Sequence, residues 1–163
     1  MLIRALDPTA DLVLITDFFS AVADYIYLER GEGPGPAVIH EFFTDAPPGC
    51  DPAASHRLGL WNAQDLVAIA DMSHGYPSPD AAYIGLFLVH HATRGTGAGP
   101  ILLRHLEALA RNGNASALYL AVLDTNPRGR AFWQREGFAP TGTSGEITLG
   151  QKSQIAHRLS KKL

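Results

Sequence analysis

Two hydrophobic spacings along the chain predict alternating helices and strands. The stretch "LIRAL" near the N-terminus predicts a short strand, and from Pro8 onward apolar residues recur with the 3.6-residue period of a helix. The positions that share one helical face are Leu12, Ile15, Phe19, Val22 and Ile26. We expect this amphipathic segment to break near Ala23, which gives two consecutive helices after the first strand.

Residues 31–52 contain two glycine- and proline-rich stretches, "RGEGPGPAV" and "DAPPGCDP", with the short apolar run "VIHEFF" close to the first. Stretches rich in glycine and proline are typical of loops. We predict an irregular region here that caps the fold or adapts to a ligand.

The second half of the chain has a more regular pattern. "HRLGLW" and "LVAIADM" flank the polar turn "NAQD" and predict a hairpin, and "AAYIGLFLV" predicts a central strand that is buried on both faces. A helix is expected from about residue 100 to 112, then a buried strand "ALYLAVLD", then a helix capped by Asn126 and ended by Gly137. The late strands are "GEITL" and "SQIAHRL". The order β-α-α-β-β-β-α-β-α-β-β predicts an α/β or α+β fold with a mixed sheet.

The stretch "RGTGAGP" joins the central strand to a helix and places glycine at 95, 97 and 99. Glycine permits the backbone angles at which successive N–H groups converge on an anion, and the helix dipole adds partial positive charge. Arg94 lies where it could pair with phosphate oxygens. The spacing excludes two nucleotide loops: no Lys-Ser/Thr follows Gly99, and the third glycine of G-x-G-x-x-G would fall on Pro100.

Composition limits the class of protein. A length of 163 residues suits a single domain, and a net charge of −3 gives no electrostatic reason to expect nucleic acid. No apolar run is long enough for a membrane span, and no secretory signal is visible. Cys50 is the only cysteine, which excludes an internal disulfide and a cysteine zinc site. We therefore expect a cytoplasmic protein with no metal.

Two motifs together resemble the GNAT superfamily of N-acetyltransferases. The spacing Arg-x-x-Gly-x-Gly on Arg94, Gly97 and Gly99 follows a strand that ends in "LFLV", as in the coenzyme A loop of that superfamily. The next strand and helix also match, with Asn126, Ala131, Phe132–Trp133 and Gly137–Phe138 in the family's order.

The resemblance implies one domain over residues 1–163. Its fold would be a mixed, mostly antiparallel sheet of about seven strands, splayed between the fourth and fifth and flanked by about four helices. The implied reaction is direct attack by a primary amine, in a small molecule or a peptide, on acetyl-CoA in a ternary complex. Relatives often dimerise, so a homodimer is implied, whereas nucleic acid and membrane are not expected partners. The alternative is a catalytically weak CoA-binding module or sensor.

The resemblance also assigns the coenzyme A site residue by residue. The pantetheine arm would bond the backbone of Phe87, Leu88 and Val89, and an N–H near Leu88 or Val89 would face the thioester oxygen. Asn126 would bond the arm, with Phe132 and Trp133 beside the sulfur. The pyrophosphate would lie on the backbone from Gly95 through Thr96, Gly97 and Ala98 to Gly99, next to Arg94. Pro100 has no N–H, so one phosphate-facing donor of many relatives is missing here.

The catalytic groups stay open at this stage. Many relatives carry an acidic Tyr where this chain has Trp133, and indole does not release a proton at useful pH. Some relatives carry a Glu where this chain has Ala121. Histidine side chains ionise near neutral pH, so His90 and His91 are candidates for the base. Tyr76 is a further catalytic candidate, and Trp133 could donate a hydrogen bond to the sulfur or act only as a wall.

The acceptor site is predicted from the first helices and from the strand that precedes the central one. Tyr25 and Glu29 fall where the family's helices bend over the acceptor, and Asp71 and Tyr76 could reach it from the neighbouring strand. The window from Asp24 to Ser55 contains six acidic residues and one arginine. If this window lines the cleft it favours a cationic amine; otherwise it is a solvated acidic surface.

Overall fold

The central feature of the computed structural model, which describes residues 1–163, is one seven-stranded sheet. Its order is β1-β2-β3-β4-β5-β7-β6, and all neighbours are antiparallel except β4 and β5, which run parallel. The strands are β1 (Leu2–Ala5), β2 (His56–Asn62), β3 (Asp65–His74), β4 (Ala81–Val89), β5 (Ala117–Leu123), β6 (Ala139–Leu149) and β7 (Lys152–Lys162). The predicted mixed sheet of about seven strands is confirmed.

Five α-helices cover the two faces of this sheet. They are α1 (Leu12–Ala21), α2 (Ala23–Arg30), α3 (Pro36–Thr44), α4 (Ala98–Asn112) and α5 (Pro127–Arg135). Apolar residues of α1, α2 and α3 form one buried cluster with Leu66, Ile69 and Leu88 of the sheet. Residues of α4 and α5 form a second cluster with alternate strand residues such as Ile84, Leu120 and Leu159. None of the helices combines the length and the apolar character that a membrane crossing requires.

The irregular region predicted over residues 31–52 is wrong in part, because it contains helix α3. Gly35 in an extended conformation precedes the helix, and Pro36 occupies its first turn, where a missing N–H costs nothing. Val38, Ile39 and Phe42 bury the inner face of α3. Helix α3 has only nine residues between two Gly/Pro loops, which is too few for a helical period to be recognised in the sequence. The protein therefore has five helices where about four were predicted.

The other predicted boundaries shift in two places. Helix α4 begins at Ala98, two residues before the predicted start, so Pro100 lies within its first turn. The late strands β6 and β7 are eleven residues each, longer than predicted. Most of β6 is exposed at the sheet edge, and an exposed edge strand needs no alternating apolar pattern.

Candidate active site

The sheet opens between β4 and β5. The two strands pair from Ala81–Ala117 to Ile84–Leu120 and no further, so residues 85–89 have no partner in β5. Beyond this point β5 stays paired with β7, while β4 stays paired with β3. The predicted splay between the fourth and fifth strands is therefore present, and it leaves a slot beside the backbone of Phe87, Leu88 and Val89.

The glycine loop lies at the end of β4 and presents unpaired backbone donors. Gly95 and Gly97 have φ angles of 81° and 97°, and a Cβ added at either would meet nothing within 4 Å. The backbone N–H groups of Gly95, Gly97, Ala98 and Gly99 have no acceptor in the protein. That of Thr96 donates to the Thr93 carbonyl. The loop and the start of α4 thus fit a bound anion, with Thr96 removed from the predicted set of donors.

Arg94 does not stand free beside this loop. Its two terminal nitrogens bond both carboxylate oxygens of Asp24 in α2 at 2.5 and 2.9 Å, and its Nε donates to the Val89 carbonyl at 3.1 Å. This ion pair holds the pKa of Asp24 below its usual range. The prediction that Arg94 pairs with phosphate therefore requires it to leave or share Asp24, a partner 70 residues away that the sequence pattern does not reveal.

Aromatic rings border the slot on the side of α5. Phe132 stacks on Phe87 with ring centroids 5.7 Å apart, and Trp133 meets Phe87 edge-on at 5.1 Å. Gly99 lets the loop approach this wall, because a Cβ there would lie 3.1 Å from the Phe132 ring. Trp133 is only 7% exposed and also contacts Phe138. Phe132 and Trp133 therefore contact the strand segment that was predicted to hold the pantetheine arm, and Trp133 belongs to the core as well.

Asn126 caps helix α5 as predicted. Its Oδ1 accepts a hydrogen bond from the Gly129 N–H at 2.9 Å, while its amide nitrogen makes no bond within the protein. A Cβ on Gly129 would collide with that amide nitrogen, so glycine at this position makes space for the Asn126 side chain. One end of Asn126 is thus used by the fold and the other is free for a ligand.

A cleft of about 310 Å³ lies on the opposite side of the slot, between α2, α3 and the sheet. Its ionisable lining residues are Glu29, Arg30, Glu41, Asp45, Asp71, Tyr76 and Tyr83. A larger groove of about 540 Å³ lies between α1 and α3, but it is mainly apolar and holds no carboxylate. The smaller cleft therefore offers the chemistry that an amine needs.

Asp71 lies where β4 bulges at the start of the opening. The register shifts between Asp71 and Met72, and the extra residue Gly85 donates its N–H to Asp71 Oδ1 at 3.1 Å. A Cβ on Gly85 would come within 2.5 Å of that oxygen, so glycine is required here. Burial raises the pKa of Asp71 to about 6. A carboxylate at this position can accept a proton near neutral pH.

The other predicted acceptor residues divide between the cleft and the core. Glu29 and Tyr76 line the cleft together with Asp71. Burial raises the pKa of Glu29, whereas the nearby Glu41 forms an ion pair with Arg30. Tyr25 packs against the cluster under α1 and α3 and is not among the residues that line the cleft, although it lies close to Glu29 and Arg30, which are.

His90 and His91 are outside the cleft, which removes them as candidates for the base. They follow the end of β4, about 16 Å along the strand from Gly85. Their rings stack on each other at 4.7 Å, and His91 Nδ1 lies 2.7 Å from the Ala21 carbonyl. His90 accepts from the Ala92 N–H, and burial lowers its pKa. The pair thus fastens the glycine loop to α1.

Arg158 is a cleft-side residue that the sequence pattern did not indicate. Its Nη2 donates to the Tyr76 hydroxyl at 2.7 Å, and Tyr76 in turn meets Tyr83 edge-on with ring centroids 5.1 Å apart. No carboxylate forms an ion pair with Arg158. An arginine in a polar late strand resembles any surface cation, so only the folded arrangement distinguishes it.

A sequence model of the Acetyltransferase (GNAT) family matches residues 22–138, which include the glycine loop, the splayed strand and the Asn126 helix. The chain belongs to the GNAT acetyltransferase family. A sequence search of curated proteins finds no significant match.

Solved structures with the same fold cover nearly the entire chain. An acetyltransferase from Thermus thermophilus is 22% identical, with a TM-score of 0.75 over 100% of this chain and 98% of that one. A ribosomal-protein-alanine N-acetyltransferase from Brucella melitensis is 18% identical, with a TM-score of 0.74 over 100% of both chains. Ard1 from Thermoplasma volcanium is 20% identical, with a TM-score of 0.73 over 99% and 97%. At these identities the likeness concerns the fold.

Proposed function

We propose that this protein transfers the acetyl group of acetyl-CoA to a primary amine held in the cleft, with Asp71 as the general base. One observation carries the proposal. The sheet opens at Gly85 of β4, the Asp71 carboxylate of β3 lies beside that opening, and the glycine loop follows the end of β4. A thioester laid along residues 85–89 would therefore be presented to an amine beside Asp71.

The coenzyme A half of the site consists of backbone groups. The four free N–H groups at Gly95, Gly97, Ala98 and Gly99 would hold the pyrophosphate, and the unpaired edge of β4 would hold the pantetheine arm. The free amide of Asn126 would bond the same arm. Backbone N–H groups along β4 would also stabilise the oxyanion that forms as the amine attacks.

The acceptor half consists of acidic side chains. Glu29, Glu41, Asp45 and Asp71 line the cleft together with Arg30, and two further arginines lie nearby, Arg57 beside Asp71 and Arg158 beside Tyr76. The carboxylates attract an ammonium ion, which must lose a proton before it can attack. Asp71 then takes that proton, and the thiolate leaves as a modest base that needs no dedicated acid. Asp71 thus fills the role of the base that Ala121 leaves open, and this weakens the alternative of a CoA-binding module without turnover.

An assay of thiol release from acetyl-CoA with a panel of primary amines tests the proposal. We expect at least one amine to speed thiol release well above hydrolysis, and acetyl-CoA to bind without any amine present. If acetyl-CoA binds but no amine accelerates release, the protein is a CoA-binding module. If millimolar acetyl-CoA does not bind, both interpretations of the site fail.

A further inference from the structure

One row of residues across the sheet places an acid and a guanidinium on the same face, with two very small residues between them. Asp71 of β3 bonds Gly85 of β4, Gly85 directly follows the last β4–β5 pair, and Ala121 of β5 occupies the same place in its strand. Ala121 in turn pairs with Arg158 of β7. The row therefore reads Asp71, Gly85, Ala121, Arg158 across four strands.

These residues face the cleft because their chain neighbours face the other way. Ile84, Leu120 and Leu159 are buried in the cluster beneath α4 and α5. Side chains alternate along a strand, so the next position in each strand points to the opposite face. The bond from Arg158 to Tyr76, a cleft-lining residue, agrees with this orientation.

Gly85 and Ala121 have the smallest side chains in this row, so they leave open space between Asp71 and Arg158. We call this part of the sheet surface the floor. Asp71 and Arg158 lie three strand positions apart, and their backbones are separated by more than about 14 Å because β4 and β5 diverge at Gly85; both side chains shorten the gap between the charged groups. Tyr83 lies close enough to feel the charges of both Asp71 and Arg158. A small molecule on this floor would meet the acid at one end and the guanidinium at the other.

The Arg158 guanidinium is held in place but has no acidic partner in the protein. It is half-buried, its Nη2 is fixed by the Tyr76 hydroxyl at 2.7 Å, and no acidic side chain of the protein neutralises it. Arginine holds carboxylates through two parallel hydrogen bonds, which makes it the natural partner for a planar anion. The acidic residues across the floor attract the opposite charge.

We infer that the acceptor is a small zwitterionic amino acid, whose ammonium group lies at Asp71 while its carboxylate pairs with Arg158. This inference rests on the proposed acetyl transfer and narrows its substrate class. A peptide N-terminus has no carboxylate near its amine, so it would leave Arg158 without a partner. The small side chain of Ala121 fits this inference, because a larger side chain there would fill the space between Asp71 and Arg158.

The test compares L-α-amino acids with their matching α-amides as acceptors in the thiol-release assay. The amide amine is the less basic and is more often neutral near physiological pH, so intrinsic reactivity favours the amide. We expect the opposite order, with kcat/KM for the acid about tenfold to a hundredfold higher, the range that a charged hydrogen bond contributes.

Substitution at Arg158 identifies the residue responsible. Arg158→Gln should abolish the preference for the acid, chiefly through a higher KM for the acid, and a cooperative thermal unfolding transition shows that the variant folds. Tyr76→Phe removes the bond that positions the guanidinium and should reduce the preference by a few fold. Arg111→Gln, a change in the last turn of α4 far from the cleft, is the matched control and should preserve it.

The outcomes separate this inference from the proposed function. Thiol release that is equal or faster with the amide, or a preference for the acid that survives Arg158→Gln, would overturn the amino-acid assignment while acetyl transfer stands. Absence of thiol release with every acid, amide and simple amine would overturn both.

Discussion

The two halves of the proposed site are built from different parts of the polypeptide. The coenzyme A half uses main-chain groups of one continuous segment, from the splayed end of β4 through the glycine loop into α4. The acceptor half uses side chains from four separate places, among them Glu29 in α2, Asp71 in β3 and Arg158 in β7. A backbone site tolerates most side-chain changes, whereas a side-chain site can be redirected by one substitution.

This difference teaches how one fold can serve many acceptors. The backbone half depends on glycine at two positive-φ positions and on a strand that lacks a partner, and neither depends on the substrate. The acceptor half depends on one bulge and a few charges. A direct link between them is the Arg94–Asp24 ion pair, which ties the glycine loop to α2.

The largest expected effect comes from Gly97→Val in the backbone half. Gly97 has a φ angle of 97° and its open side is where an anion would sit, so a branched Cβ both strains the loop and fills the cradle. We expect acetyl-CoA to bind at least about a hundredfold more weakly by titration calorimetry, since a backbone anion site relies on unobstructed N–H groups.

Gly142→Val is the matched control for that change. Gly142 also has a positive φ angle and open space around its Cβ, but it lies in the exposed strand β6. It should lose stability without loss of acetyl-CoA affinity. Unchanged affinity in Gly97→Val would show that the loop is a structural turn and not a cradle.

Asp71→Asn should stabilise the protein at high pH. The folded pKa of about 6 exceeds the ordinary 3.8, so the ionised carboxylate is disfavoured in the fold. The penalty is absent below pH 3.8, grows as the pH rises to about 6, and is complete above that. We expect Asp71→Asn to raise the free energy of unfolding by about 2 to 3 kcal/mol at a pH of about 8 and to leave it unchanged at a pH of about 3.5.

Urea denaturation at both pH values measures this effect, with Asp45→Asn as the control. Asp45 lines the same cleft, and its backbone carbonyl, which the substitution keeps, accepts from Arg57. An equal gain in both variants would mean that general relief of negative charge, rather than burial of Asp71, is responsible.

Trp133→Phe should separate packing from chemistry at the border between the two halves. The ring is 7% exposed and contacts Phe87, Phe132 and Phe138, so the smaller ring leaves a cavity that costs about 1 to 2 kcal/mol in thermal unfolding. Turnover should stay within a few fold of the original. A loss above about a hundredfold at unchanged acetyl-CoA affinity would assign a chemical role to the indole N–H.

The smallest expected effect concerns the link between the halves. Asp24→Asn should release Arg94 towards the pyrophosphate and tighten acetyl-CoA binding about threefold to fivefold, in keeping with the modest strength of an exposed ion pair. The affinity is measured at low and high salt, because an added phosphate contact is screened. Weaker binding would instead mean that Asp24 holds the loop in its binding conformation.

The glycine loop and the cap of α5 could be predicted from the sequence because both follow from local spacing. Glycines at 95, 97 and 99 and the cap at Asn126 each act within a few residues of their own position, and all lie in the predicted elements. Helix α3 was not predicted because its nine residues, between glycine-rich loops, are too few to show a helical period.

The acceptor half could not be predicted in the same way. Asp71 becomes special only through a bulge in the opposite strand, and Arg158 only through strand pairing with Ala121. A helical period also does not show which sheet residues the side chain of Tyr25 meets. His90 and His91 lie outside the cleft because β4 ends at Val89, before them.

The pH dependence of kcat/KM for the amine, measured with saturating acetyl-CoA on the original protein and on Asp71→Asn, tests the central claim most directly. The original protein should show activity that rises with an apparent pKa of about 6, the value that burial gives Asp71. Asp71→Asn should lose this rise and at least about a hundredfold of its activity at neutral pH, while its affinity for acetyl-CoA stays unchanged. A variant that keeps both the rise and its turnover would contradict the assignment of Asp71 as the base.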